Sequence, residues 1–361
     1  MTLTIARVLQ GFGAAAIMSV NTALIRIIYP QRFLGRGVGI NALIVAVSSA
    51  AGPTIAAGIL SVASWQWLFA INVPIGVAAL LLGLKFLPAN STRSQGQRFD
   101  FTSSVMNALT FGLLIIAISG FAQGQNHGLI LAEVIALLII GWFFVRRQLS
   151  QPFPLLPVDL LRIPIFSLSL GTSLCSFSAQ MLAFVSLPFF LQNTLGLNSV
   201  DTGLLLTPWP LATMVMAPIA GRLVERYHPG MLGGIGLIVF SIGLFSLSLL
   251  PPEPSHLNII WRMLLCGAGF GLFQSPNNHT IITSAPRNRS GGASGLLGTA
   301  RLLGQTTGAA MVALMFNLFP EHGTHASLIL AGTLAGTGAL VSLLRMTQKT
   351  SSQKAAEDLK S

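Results

Sequence analysis

The chain has 361 residues, 52% of them hydrophobic and only 8% charged, where an ordinary soluble domain is about 25% charged. With a mean hydropathy of +0.74, so much apolar surface cannot be hidden behind so few charges. This excludes a soluble enzyme, a disordered chain and a disulfide-stapled secreted domain, and points to an all-α polytopic membrane protein. The net charge of +11 would suggest a nucleic-acid partner, but its distribution argues otherwise. Cys175 and Cys266 both lie in apolar runs and offer neither a disulfide framework nor a metal spacing. Met1 leads almost directly into an apolar stretch containing Arg7, so no cleavable leader is expected.

About 20 apolar residues cross a bilayer as a helix. Eleven stretches qualify: 3–29, 37–61, 65–87, 101–122, 128–145, 165–191, 202–222, 231–250, 257–280, 292–319 and 326–345. Lipid leaves backbone N–H and C=O groups no outside partner, so each is expected to be a helix. The basic residues fall in alternate loops. Arg26, Arg32 and Arg36 accompany the first span, Lys85, Arg93 and Arg98 the third, and Arg146, Arg147 and Arg162 the fifth. Arg222 and Arg226 follow the seventh, Arg287 and Arg289 the ninth, and Arg345, Lys349, Lys354 and Lys360 the last. The intervening loops hold no Lys or Arg, and only Arg7, Arg262 and Arg301 lie inside spans. The positive-inside rule then makes the basic loops and the C-terminus cytoplasmic, and the excess charge faces anionic lipid. The first span would start on the outer face, so an odd number of preceding helices is expected.

Shifted by 256 residues, the chain matches itself without a gap over two spans and their joining loop. Leu9, Gly11, Gly13, Ser19, Asn21, Ile25, Pro30, Gly35, Gly39, Gly52 and Ala57 meet identical residues. Parallel repeats of this kind are a transporter architecture. Six helices per half, with the fourth and fifth spans as an inserted pair, imply a 6+2+6 parent of which eleven helices are present. The expected divisions are 1–87, the last three helices of the N-terminal bundle; 88–147, the inserted pair; 148–345, the six-helix C-terminal bundle; and 346–361, a cytoplasmic tail.

Arg7-Val-Leu-Gln10-Gly11-Phe-Gly13, Gly52-Pro53, the run from Trp65 to Gly76 and Gly221 to Arg226 resemble motifs of the fourteen-helix drug:proton antiporters of the major facilitator superfamily. Arg7-Val-Leu-Gln10-Gly11-Phe-Gly13 is similar to that superfamily's fourth-helix motif. Ser48, Gly52 and Pro53 resemble the fifth-helix antiporter motif, with Ala56-Ala57 where two glycines usually close it. The run from Trp65 to Gly76 resembles the sixth helix, with Gln66 in place of the usual Arg. Gly221-Arg222-Leu-Val-Glu225-Arg226 resembles the loop motif between the second and third helices, with Glu225 for the usual Asp. The resemblance implies a major facilitator fold and proton-coupled efflux of lipophilic or cationic compounds by alternating access. It also implies a bacterial inner-membrane location, a monomer, and small-molecule, proton and lipid partners. The chain would lack the family's first three helices.

A charge at the bilayer centre costs about 2.5–3.5 kcal/mol on insertion scales, so it marks a cavity or a partner. Arg7, Gln10 and Asn21 share one helical stripe. They form either a cavity wall, with Arg7 tuning a carboxylate in proton exchange, or an interfacial set with Arg7 snorkelling outward. Gln274, Asn277 and Asn278 share a face and would bond substrate or a neighbouring helix. Arg301, deep in its span, would serve gating or a structural pair. Gln180, Met181 and Phe184 would line an adaptable site, or simply pack. Ser48, Gly52 and Pro53 are expected to pack closely against another helix, as is the stripe Gly304, Gly308 and Val312. Glu133 is the one acid inside a span and so a candidate proton site, although it lies outside both halves; the alternative puts the coupling carboxylate on a preceding helix.

No catalytic set, metal site or cofactor motif is found: His322-Gly-Thr-His325 falls short of a ligand set, and neither GxxxxGK[ST] nor HExxH occurs. Other readings are an inactive remnant, a start codon set inside a longer frame, or a membrane-embedded enzyme or assembly subunit.

Overall fold

The structure is a computed structural model that describes residues 2–87, 100–151, 154, 156–251, 253–286 and 289–347. Among them all regular structure is helical. We number the long helices α1 (Thr2–Ile28), α2 (Leu34–Val62), α3 (Trp67–Phe86), α4 (Phe101–Ala122), α5 (His127–Ser150) and α6 (Pro164–Phe189). They continue with α7 (Val200–Leu223), α8 (Pro229–Ser248), α9 (His256–Ser284), α10 (Ser290–Leu318) and α11 (Gly323–Leu344). Eight of these, α3 to α9 and α11, are long and apolar enough to cross a membrane by length and composition.

Local sequence explains many of the starts. Asn126, Asn198 and Ser255 accept from backbone N–H groups in the first turns of α5, α7 and α9, which satisfies donors that lack a helical partner. Pro164 and Pro229 open α6 and α8, where a missing N–H costs nothing.

Helices α6 to α11 form one bundle. Leu182, Leu187, Trp209, Leu237, Phe240, Met263 and Phe273 fill its core. Its small-residue stripe works as expected. A Cβ on Gly308 would lie 2.4 Å from the Ser178 carbonyl oxygen, and one on Gly304 would lie 2.8 Å from that of Leu174. The α10 backbone therefore rests on α6, and the Ser178 hydroxyl donates to the Gly304 carbonyl at 3.0 Å. Gly308→Leu should destabilise the bundle by about 1–3 kcal/mol, the usual cost of overpacking, read as a lower Tm of the purified protein.

The matching stripe on α2 departs from expectation. Ser48 and Gly52 are exposed, and a Cβ on Gly52 would meet nothing within 4 Å; the Pro53 side chain lies outside the described residues. The reason is positional: α2 corresponds in the repeat to α10, but no described helix stands to α2 as α6 stands to α10. Helix α3 likewise reaches little beyond the end of α2, and Leu80, Leu84 and Phe86 are exposed.

Helices α4 and α5 form a separate antiparallel hairpin that leans on α10. Asp100 closes it, accepting from the Ser103 hydroxyl at 2.6 Å, the Ser103 amide at 3.0 Å, Gln151 and Arg147 at 3.1 Å. These bonds, led by the Ser103 hydroxyl, hold the Asp100 carboxyl well below the usual carboxylate range. A depressed folded-state pKa gives stability above the unfolded value of about 4, and that stability drains away as pH falls further. Asp100→Asn should therefore lower Tm at neutral pH, and the gap from wild type should narrow below about pH 4.

Helices α1 and α2 join the six-helix bundle chiefly at one end, where Arg26, Arg36, Arg222 and Arg289 gather. Arg26 donates to the Ala285 carbonyl at 3.0 Å and to the Ser290 hydroxyl at 2.8 Å. Arg36 pairs with Glu225 at 3.3 Å, while Arg222 and Arg226 are exposed. Between these contacts, Ile25, Leu34, Val38 and Ile282 form a small buried cluster. Gly221 makes the approach possible, since a Cβ there would lie 2.5 Å from the Gly35 carbonyl oxygen and 3.0 Å from the Gly39 Cα.

Candidate functional site

A cavity of about 290 Å³ lies at mid-depth between the six-helix bundle and α2. Helix α6 contributes Phe177, Gln180, Met181 and Phe184, a stripe at i, i+3, i+4 and i+7 that is one face of a helix. Across from it, α7 gives Trp209, Pro210 and Thr213, α9 gives Phe270 and Gln274, α10 gives Arg301 and Gln305, and α2 closes the side with Val45.

Aromatic rings shape the apolar wall. Phe184 and Trp209 stand 4.8 Å apart between centroids, and Phe177 meets Phe270 edge-on at 5.6 Å. Arg301 lies with its guanidinium 5.3 Å from the Phe177 ring centroid, a cation–π contact. Among the described residues it makes no hydrogen bond or ion pair, and no Asp or Glu lines the cavity. Trp209 is only 1% exposed, and its indole N–H has no partner among the described residues. A buried donor without an acceptor costs about 1–3 kcal/mol. The chamber thus combines an apolar aromatic body with three glutamine amides and a cation that has no hydrogen-bond or ion-pair partner among the described residues.

Gln180, Met181, Phe184, Gln274 and Arg301, all singled out from the sequence, converge here. Phe177, Trp209, Phe270 and Gln305 were not. Gln305 sits one turn beyond Arg301, a signal that was available; Trp209 has none, because a tryptophan in an apolar span reads as packing.

The other candidates lie elsewhere. Asn277 is 1% exposed and faces α6 and the end of α11: its amide donates to the Ser173 hydroxyl at 2.7 Å, and its carbonyl accepts from Thr172 and Arg345. Asn278 is part-exposed and outside the lining. Arg7, Gln10 and Asn21 are exposed along α1. Arg7 donates to Gln10 at 3.0 Å and stacks over Phe69, while Asn21 donates to Asn41 at 2.9 Å. Glu133 stands on α5 in the hairpin, remote from the cavity lining, and its Oε2 has no partner among the described residues. Those residues include no group of three or more potential metal ligands.

Comparison with known proteins places these features in context. The sequence profile of the Major Facilitator Superfamily matches residues 2–309. The chain is 71% identical over 346 residues to the "Uncharacterized transporter YebQ" of Escherichia coli (strain K12), covering 96% of this chain and 76% of that protein. It is 31% identical over 285 residues to the "Lincomycin resistance protein LmrB" of Listeria innocua, covering 79% of this chain and 60% of that one. The fold is similar to that of the proton:xylose symporter XylE bound to 6-bromo-6-deoxy-D-glucose, with a TM-score of 0.59 and 16% identity over 91% of this chain and 67% of that one.

Proposed function

The chain belongs to the major facilitator superfamily, and from that premise we propose that it is a proton-coupled exporter of lipophilic compounds working by alternating access. Superfamily members bind small-molecule substrates and usually act as monomers. The observation that carries the reading is the mid-depth cavity between the six-helix bundle and α2, the position where rocking of α2 and its companions against that bundle would expose a site to each side in turn. Its wall of Phe177, Phe184, Trp209, Phe270 and Met181 suits flat, apolar cargo, and methionine and aromatic surfaces adapt to varied shapes. The lincomycin-resistance relative supports export as the direction.

The expectation of lipophilic or cationic cargo divides here. The lipophilic part fits the lining; a cation would meet Arg301 with no acid among the described residues to balance it. We assign the basic loops and the C-terminus to the cytoplasm on the charge asymmetry, and the membrane to the bacterial inner one. In this reading the chain's helices correspond to the fourth through fourteenth of a 6+2+6 parent, and Arg7, Gln10 and Asn21 face a pathway shared with that parent's other helices. Gly52→Leu in a fourteen-helix parent would then be as disruptive as Gly308→Leu.

Energy would come from proton entry. Protein reconstituted in liposomes should move a lipophilic compound only while a proton gradient stands. Transport that survives an uncoupler would reject the coupling.

A further inference from the structure

A second polar hollow lies at the arginine-rich end of the six-helix bundle, away from the central cavity. It measures about 90 Å³, and its walls are Ile165, His228, Pro229, Gly230, His279, Thr280, Thr283, Ser284 and Arg345. That is room for more than one water-sized group.

Arg345 dominates it. The residue is 1% exposed at the end of α11. Its Nη1 donates to the Ser169 hydroxyl at 2.8 Å and to the Asn277 carbonyl at 2.6 Å, and its Nη2 donates to the Ser342 hydroxyl. All three acceptors are neutral. Its Nε is buried with no partner among the described residues, and so is the Nδ1 of His279. Among the described residues no Asp or Glu lines the hollow. Burying a cation costs several kcal/mol unless a counter-charge and hydrogen bonds compensate it.

The surroundings make space for this arrangement. A Cβ on Gly233 would lie 3.3 Å from Arg345 Nη2 and 3.0 Å from the Ser342 hydroxyl. His228 Nδ1 accepts from the Gly230 amide at 3.1 Å, so the proton of the neutral ring sits on Nε2, which is left as a donor. Helix α8, 20 residues long, begins at Pro229 and turns the positive end of its dipole toward the same place. The hydroxyls of Thr280, Thr283 and Ser284 already donate to backbone carbonyls. The free donors among the described residues are therefore Arg345, His228 and, in its Nδ1–H tautomer, His279, on three different elements.

We propose that this hollow binds a phosphate-type oxyanion, either free phosphate or the headgroup of an anionic phospholipid. A tetrahedral oxyanion supplies the missing negative charge and accepts from all three donors at once.

Thermal unfolding of the purified full chain tests it in two arms. Inorganic phosphate is titrated in detergent against chloride of equal ionic strength. Separately, the protein is compared in phosphatidylglycerol and phosphatidylcholine nanodiscs. A saturable rise in Tm with phosphate supports free phosphate; a rise with phosphatidylglycerol alone supports the headgroup. In either case Arg345→Gln should weaken the response at least tenfold, and His228→Ala, which keeps the buried arginine and its contacts, should weaken it measurably if the former fails to fold. No response in either arm, the same response to chloride, or a response unchanged in His228→Ala would overturn the proposal.

Discussion

Gly221→Val is expected to keep the arginine-rich end from closing and to cut transport by roughly 10- to 100-fold, because overpacking costs about 1–3 kcal/mol and each 1.4 kcal/mol is tenfold in an equilibrium. The obstacle at Gly221 is backbone rather than side chain. The Cβ of any residue there would stand 2.5 Å from the Gly35 carbonyl oxygen and 3.0 Å from the Gly39 Cα, and neither can rotate away. The bulk falls on the contact between α2 and α7, so the six-helix core should survive. Tm should change little while transport collapses. Loss of expression or of cooperative unfolding would instead mark Gly221 as a folding residue. Glu225→Gln should be milder, because Arg36 is half-exposed and such pairs are worth about 0–1 kcal/mol.

The second large effect concerns Arg301 and has opposite signs in stability and function. Its guanidinium is held in the cavity wall against the Phe177 ring, without a hydrogen-bond acceptor among the described residues. Arg301→Met keeps much of the volume and removes the unpaired charge. Stability should rise by about 1–3 kcal/mol, since apolar replacements of buried charges are often neutral or stabilising. Export should fall at least about tenfold, the cost of a lost charge-assisted hydrogen bond. Thermal unfolding and uncoupler-sensitive export, measured on the same preparation, check both. A lower Tm would mean that Arg301 is a structural strut, and unimpaired export would remove it from the substrate path. Trp209→Phe, which deletes the N–H and shrinks a buried indole to a single ring, should lower Tm through the core cavity it leaves.

What was legible in the sequence, and what was not, follows from the range of each interaction. The long helices stand within a few residues of the expected spans, because the cost of an unpaired backbone in lipid acts on each segment separately. The expected end of the fifth span at 145 was too early. Arg146 and Arg147 read as loop, yet α5 continues to Ser150, since Arg147 and Gln148 bond to Asp100 and Ser103 across the hairpin. The cavity was legible where polar residues interrupt apolar runs, as at Gln180, Gln274 and Arg301. It was illegible at Trp209, whose importance lies in an N–H that nothing answers. Of the two partners expected for Asn277, substrate or a neighbouring helix, the structure shows the second, with bonds to Thr172 and Ser173 on α6. Its further partner Arg345 lies 68 residues away and reads in sequence as one more basic residue of the tail. The small stripes on α2 and α10 look alike as sequence. They differ in the structure because, among the described residues, the α10 stripe has a helix, α6, laid against it and the Ser48–Gly52 face of α2 does not.

Alternating access requires that the contact between Arg36 and Glu225 break in every transport cycle. Placing Arg36→Cys and Glu225→Cys in a Cys175→Ser, Cys266→Ala background allows a short bifunctional thiol reagent to bridge α2 and α7. Bridging should stop uncoupler-sensitive export, and a cleavable reagent should restore it on reduction. Export that continues at the uncrosslinked rate with the bridge intact would contradict a mechanism in which these two elements separate.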